Sequence, residues 1–175
     1  MSEFPKTLEE ILKKSIQLEE EGFKFYNESA QKIKNSVGKR MLERLANDEK
    51  NHVARFKQLY EAVTNNSVDQ VKFSEREPTT FEMIFNRLKD QLEGAVEELG
   101  EKGVDDQEII EMAMDLENTT RFFYKEAAQK AKDEKIKNFY ELLAKEEDAH
   151  YEVLQKALQF LEDPSLFFGM GDSRL

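Results

Sequence analysis

The chain has 175 residues, 36% of them charged, and a net charge of −11, which argues against nucleic acid or an anionic membrane as partner. It has no cysteine, so disulfides, zinc fingers, iron–sulfur centres and Cys nucleophiles are excluded. The length fits one domain over 1–175, and sparse Gly and Pro with Glu, Lys, Leu and Ala at helical spacing predict an all-α fold. No 18-residue apolar stretch occurs and the N-terminus lacks a cationic start followed by an apolar run, so a soluble cytoplasmic protein is expected.

Thr7-Leu-Glu-Glu10 is a capping box, and it predicts a first helix over about 8–34 with the apolar seam Leu8, Leu12, Ile16, Phe23, Tyr26, Ala30 and Ile33. Glu19 falls in the middle of that seam. A turn near Asn35–Gly38 leads to a second helix over about 39–63, whose seam Leu42, Leu45, Phe56, Leu59 and Val63 is interrupted by Glu49 and His52. Together they form the first hairpin, about 8–63. Residues 64–78 have no sustained period and read as a linker. A second capping box at Thr79–Glu82 and the spacing of Phe81, Phe85, Leu88, Leu92, Val96 and Leu99 predict an additional helix within a crossover over 64–104. Asp105 is placed to cap the next helix, with the seam Ile110, Ala113, Glu117, Thr120, Tyr124, Ala127 and Ala131. A last helix over about 133–161 carries Ile136, Phe139, Leu143, Glu147, His150, Leu154, Ala157 and Leu161. This second hairpin, about 105–162, is followed by a tail over 163–175 with the aromatic run Phe167-Phe168.

The two hairpins are copies of each other. Residues Leu18–His52 align with Leu116–His150 without a gap at an offset of 98, matching Glu19 with Glu117, Tyr26 with Tyr124, Glu49 with Glu147 and His52 with His150. Composition alone would match some Glu and Lys, but not the only two histidines, nor scarce tyrosines. The expected architecture is therefore a four-helix bundle built from two αα-hairpins, with an additional helix in the crossover.

Each histidine sits three residues after a glutamate, which puts a carboxylate and an imidazole side by side on one helix face. Glu19, Glu49, His52, Glu117, Glu147 and His150 all take core-facing positions. A buried carboxylate is penalised by several kcal/mol, and four of them also repel each other. Two divalent cations balance four carboxylates, and two neutral imidazoles complete the set. Both Glu19 to Glu49 and Glu117 to Glu147 span 30 residues, about 15 up one helix and 15 down the next, so the groups return to one level. One Glu from each of two helices plus a Glu-x-x-His from each of the others is the general donor set of a di-iron carboxylate bundle.

Around this set, Tyr26 and Tyr124 read as hydrogen-bonded core tyrosines rather than redox participants, and Arg121 as a salt-bridge partner. Asp48 and Glu146 are placed to accept the Nδ1–H of the histidine on the facing helix. Glu20 and Glu21 follow Glu19, but their repeat mates Asn118 and Thr119 are not acidic, so the register selects Glu19.

The segment Leu18-Glu-Glu-Glu-Gly-Phe-Lys-Phe-Tyr-Asn-Glu-Ser-Ala30, the later Asp48-Glu-Lys-Asn-His52 and their second-half counterparts resemble the rubrerythrin branch of the ferritin-like superfamily over nearly the whole chain. The resemblance implies a non-haem centre of two iron ions, whereas a non-redox reading of the same donors would give them manganese or zinc. In the iron centre Glu49 and Glu147 bridge, Glu19 and Glu117 bind terminally, and His52 and His150 take one iron each. It further implies reaction of the reduced site with peroxide or dioxygen. Two departures matter. Rubrerythrins proper carry a rubredoxin-like domain with four cysteines, which this chain lacks, so electrons would come from a separate donor protein. The family also commonly has a seventh carboxylate one turn after the Glu of the third bundle helix; that position is Thr120, and its repeat mate is Gly22.

Three functions stay open on the residues. They are oxidation of Fe(II) coupled to reduction of peroxide or dioxygen, iron storage or sequestration, and a non-redox metal-binding bundle. The Phe81–Leu99 helix and the aromatic tail suit a small homodimer better than a cage.

Overall fold

In a computed structural model, residues 4–73, 80, 83 and 104–163 are described. They form a helical bundle of α1 (Leu8–Lys32), α2 (Ser36–Thr64), α3 (Val104–Lys130) and α4 (Glu134–Glu162), with a short 3-10 turn at Val68–Gln70. The predicted helix at 79–100 and the tail after 163 lie outside the described residues.

Helices α1, α2 and α4 each start where the sequence supplies a cap. Thr7 Oγ1 accepts from the Glu10 N–H at 3.2 Å, while Glu10 Oε2 accepts from the Thr7 N–H at 3.0 Å. Asp133 Oδ1 accepts from the N–H groups of Lys135 and Ile136. Asn35 does the same for Val37 and Gly38, so α2 begins at Ser36, three residues before the predicted start. The α1–α2 turn is correspondingly only Ile33–Asn35. Gly38 lies inside the first turn of α2, where an added Cβ would come within 2.6 Å of Ile33 Cδ1; the glycine lets Ile33 fold over the helix start.

Helix α3 begins at Val104, so Asp105 stands inside its first turn rather than ahead of it. The acid that secures this end is Asp106. Its two carboxylate oxygens accept the backbone N–H groups of Lys34 and Asn35 at 3.1 and 2.9 Å, tying the α1–α2 turn to the start of α3.

The α1–α2 and α3–α4 hairpins each pack tightly within themselves, and meet through α1 on α3 and α2 on α4. Among the described residues the apolar core forms two clusters. One holds Leu12, Phe56, Leu59, Tyr124, Phe139 and Tyr140 among its members; the other holds Tyr26, Leu42, Leu45, Ile110, Leu154 and Leu161. Phe23 does not belong to the seam as expected: it is 37% exposed, and α1 turns Gly22 and Tyr26 inward instead. No helix among the described residues is long and apolar enough to cross a membrane.

Candidate metal centre

Between the two apolar clusters lies a layer of acid and imidazole. Glu19 on α1, Glu49 and His52 on α2, Glu117 on α3, and Glu147 and His150 on α4 are each 1–3% exposed. Glu20 and Glu21, one and two residues out of phase, face solvent, as the repeat register requires. Amphipathic helices do this because each ligand position replaces one apolar residue of a 3-4 seam, and burial of its neighbours carries it inward.

The six residues resolve into two overlapping sets. Glu19, Glu49, His52 and Glu147 offer ligand atoms within 4.8 Å of one another, and so do Glu49, Glu117, Glu147 and His150. Glu49 and Glu147 are common to both. His52 Nδ1 stands 3.3 Å from Glu19 Oε2, 3.6 Å from Glu49 Oε2 and 3.1 Å from Glu147 Oε1. His150 Nδ1 stands 3.3 Å from Glu49 Oε1, 3.6 Å from Glu117 Oε1 and 3.2 Å from Glu147 Oε2. The two rings are nearly parallel, with centroids 5.6 Å apart.

The second ring of contacts is also two-fold. The Tyr26 hydroxyl donates to Glu117 Oε1, and the Tyr124 hydroxyl to Glu19 Oε1, each reaching from one hairpin to the other. Both phenols are held well above their usual range, by burial first and then by the carboxylate beside them, so they remain neutral donors. A family model described as Rubrerythrin matches residues 10–158.

The chain belongs to the rubrerythrin family.

No match to the chain was found among curated proteins or among solved structures. As in other folds of helical-bundle type, a rubrerythrin needs a way to keep four carboxylates in its core. Here protons serve. Burial, then the negative charge of Glu49, holds the Glu19 carboxyl well above the usual range, against the pull of His52. Burial and Glu147 do the same to Glu117, against His150. Burial works against charge on both histidines, but Glu19 and Glu147 around His52, and Glu117 and Glu147 around His150, outweigh it and hold each ring well above its ordinary pKa. Burial also pushes Glu147 up, yet the two imidazolium charges win and hold it well below the usual range. Glu49 is lowered as well, by hydrogen bonds that overcome burial and Glu147. The raised carboxyls of Glu19 and Glu117 and the raised rings of His52 and His150 draw protons into the layer and offset the charge of Glu49 and Glu147.

That balance is the one two divalent ions would reproduce with four carboxylates and two neutral rings. The donor set fits such ions on a second ground: Glu49 Oε1 and Glu147 Oε1 are buried and accept no well-aligned hydrogen bond, with only the Nδ1 atoms of His150 and His52 near them at 3.3 and 3.1 Å. Buried acceptors left unpaired are costly unless something electropositive meets them. Oxygen and imidazole donors with no sulfur suit iron, manganese or zinc.

The histidines' outer contacts partly differ from expectation. Asp48 and Glu146 do face the histidines of the opposite hairpin, but through Nε2 and not Nδ1, because both Nδ1 atoms are turned into the acid layer. His52 Nε2 donates to Glu146 Oε2 at 2.8 Å, whereas His150 Nε2 is 3.8 Å from Asp48 Oδ2. Arg121 pairs with Asp148 at 2.9 Å, as a salt-bridge partner should. Sequence reasoning overlooked Arg55, whose Nη1 donates to both oxygens of Glu146 at 2.9 Å. Its spacing, three residues after His52, was the available signal. The pair of Ser15 and Tyr140, whose hydroxyls lie 3.0 Å apart in the core, was also missed.

Proposed function

We propose that this rubrerythrin-family chain is a non-haem di-iron oxidoreductase that couples oxidation of Fe(II) to reduction of hydrogen peroxide or dioxygen. The observation that carries it is the sharing of Glu49 and Glu147 by two four-residue donor sets. In this reading Glu49 and Glu147 would serve both ions, Glu19 and His52 would complete the donor set of one, and Glu117 and His150 that of the other. Bound iron would supply one-electron steps, two of which, with two protons, convert one peroxide to two waters.

The chain's own groups set the conditions for that chemistry. Tyr26 and Tyr124 each hold one oxygen of a terminal glutamate and leave its other oxygen for a ligand. Their raised pKa keeps the proton on the phenol. Apolar layers above and below exclude water and strengthen every charge interaction in the acid layer. The oxygen donors favour the ferric state, a hard cation. Gly22 and Thr120 occupy the places of a seventh carboxylate, and an added Cβ at Gly22 would meet the Glu49 carboxylate at 3.5 Å. The six-ligand, two-fold set favours dioxygen or peroxide as oxidant of Fe(II), with electrons arriving from a separate donor protein.

The test is anaerobic titration of the metal-free chain with Fe(II), followed by stopped-flow absorbance on mixing with peroxide or air. Saturation at two irons per chain with faster oxidation by peroxide supports the peroxidase form; faster oxidation by dioxygen supports the ferroxidase form. Slow oxidation by both favours sequestration, and absence of stoichiometric iron uptake returns the chain to a non-redox bundle. Uptake of two divalent ions should also release protons from the raised groups His52, His150, Glu19 and Glu117, readable with a pH indicator dye.

A further inference from the structure

The acid layer obeys the repeat, but the groups behind its two histidines do not. Glu146, behind His52, has Asp48 as its repeat mate, one methylene shorter. Arg55, behind Glu146, has Val153 as its mate, a residue buried at 1% exposure. These two differences fall on the same side. His52 Nε2 donates to Glu146 at 2.8 Å, and Glu146 is clamped by Arg55 Nη1 through both of its oxygens. The Arg55 guanidinium lies 5.6 Å from the Phe139 ring centroid, and its Nε and Nη2 are buried with no hydrogen-bond partner among the described residues. Among the described residues both of its hydrogen bonds go to Glu146, so the pair is locked. On the other side, 3.8 Å from His150 Nε2 to Asp48 Oδ2 is beyond a hydrogen bond. The arginine beside Asp48 is Arg44, 3.6 Å away on the same helix and 44% exposed.

A carboxylate that accepts the outer N–H of a ligating imidazole fixes the ring and makes its inner nitrogen a better donor; losing it typically weakens metal binding by about 10- to 100-fold. Since Glu49 and Glu147 serve both positions equally, the outer contacts decide between them. We infer that the two metal positions are unequal: the Glu19–His52 position, closed by Glu146 and Arg55, binds first and tightly, and the Glu117–His150 position binds second and exchanges its ion. Arg55 is thus a positioning residue, acting on the metal through Glu146 and His52. The inference rests on the metal-site reading above.

The experiment is anaerobic titration of the metal-free full-length chain with Co(II), followed by its visible ligand-field absorption. The wild-type chain should show two steps separated by about tenfold or more in affinity. His150→Ala should keep the first step and lose the second; His52→Ala should lose the first and keep only weak uptake. Arg55→Met should weaken the first step by about tenfold while leaving the second, and Arg55→Lys should recover part of the loss. Asp48→Glu, on the more exposed side, should strengthen the second step, giving an arm that survives if Arg55→Met fails to fold by circular dichroism. Equal steps in the wild type, with His52→Ala and His150→Ala equally impaired, overturn the inference while leaving two-metal binding intact. Fewer than two Co(II) per wild-type chain overturns the metal-site reading itself, and the inequality with it.

Discussion

The two apolar layers that flank the acid layer occupy matching places in the repeat, yet they are built differently. Phe56, Tyr140 and Leu12 on one side correspond to Leu154, Leu42 and Ile110 on the other, so one layer is richer in aromatic rings than the other. Phe56 packs against Tyr124, Phe139 and Tyr140 with centroids 5.1–5.7 Å apart. Between these layers the repeat preserves Glu, His and Tyr position by position. The contrast teaches that the packing layers answer only to volume and apolarity, whereas the middle layer answers to the chemistry of each side chain.

The strongest way to break this comparison is to truncate its two sides. Phe56→Ala should cost about 3–5 kcal/mol and Leu154→Ala about 2–5 kcal/mol, measured by urea unfolding of the metal-free protein. Equal losses would mean that the aromatic contacts add nothing beyond buried volume.

The middle layer should answer to metal instead. A divalent ion at about 100 times its Kd should stabilise the chain by about 2.7 kcal/mol per site, and Glu49→Ala with Glu147→Ala should abolish that gain in a thermal melt. The pH dependence has a definite sign. The folded-state pKa values of His52 and His150 lie above the unfolded 6.5, so their contribution is fully present below pH 6.5 and is lost as pH rises through the folded values. The raised carboxyls of Glu19 and Glu117 act in the same direction above pH 4.5. The metal-free chain should therefore melt lower as pH rises above 6.5, while metal binding tightens over the same range because the ligands shed protons. A melt that rises with pH in the absence of metal would contradict the protonated acid layer.

A smaller effect separates the two ends. Asp106→Ala unties the α1–α2 turn and should cost about 1–3 kcal/mol, as expected for two buried N–H groups losing their acceptor. Its repeat mate is Leu8, which offers the opposite turn no carboxylate. Smallest of all is Tyr140→Phe, about 0.5–1.5 kcal/mol, because Ser15 also donates to the Ile11 carbonyl at 2.9 Å and is not stranded when the phenol goes.

The four described helices and the juxtaposition of the six residues were legible because both rest on spacing, and spacing is a property of sequence. What escaped has physical reasons. Phe23 reads as a seam residue, but the inward position belongs to Gly22, which carries no hydrophobic signal. The early start of α2 depends on the Asn35 side chain capping two N–H groups, while Gly38 suggests a turn. The choice of Nε2 over Nδ1 for the outer contact is a rotamer property, set by how both rings enter the acid layer. Arg55 looks like any arginine on a solvated helix until Glu146 of the other hairpin is brought beside it.

The crossed hydroxyl bonds, Tyr26 to Glu117 and Tyr124 to Glu19, carry a consequence for ancestry and for design. Each donor set takes three carboxylates and one imidazole from both hairpins, so neither hairpin is self-sufficient. One hairpin meeting an identical second molecule across a two-fold axis would nevertheless regenerate every one of these contacts. The present chain is equivalent to that symmetric dimer run on a single thread, and the thread is what freed Asp48 and Arg55 to diverge from their partners.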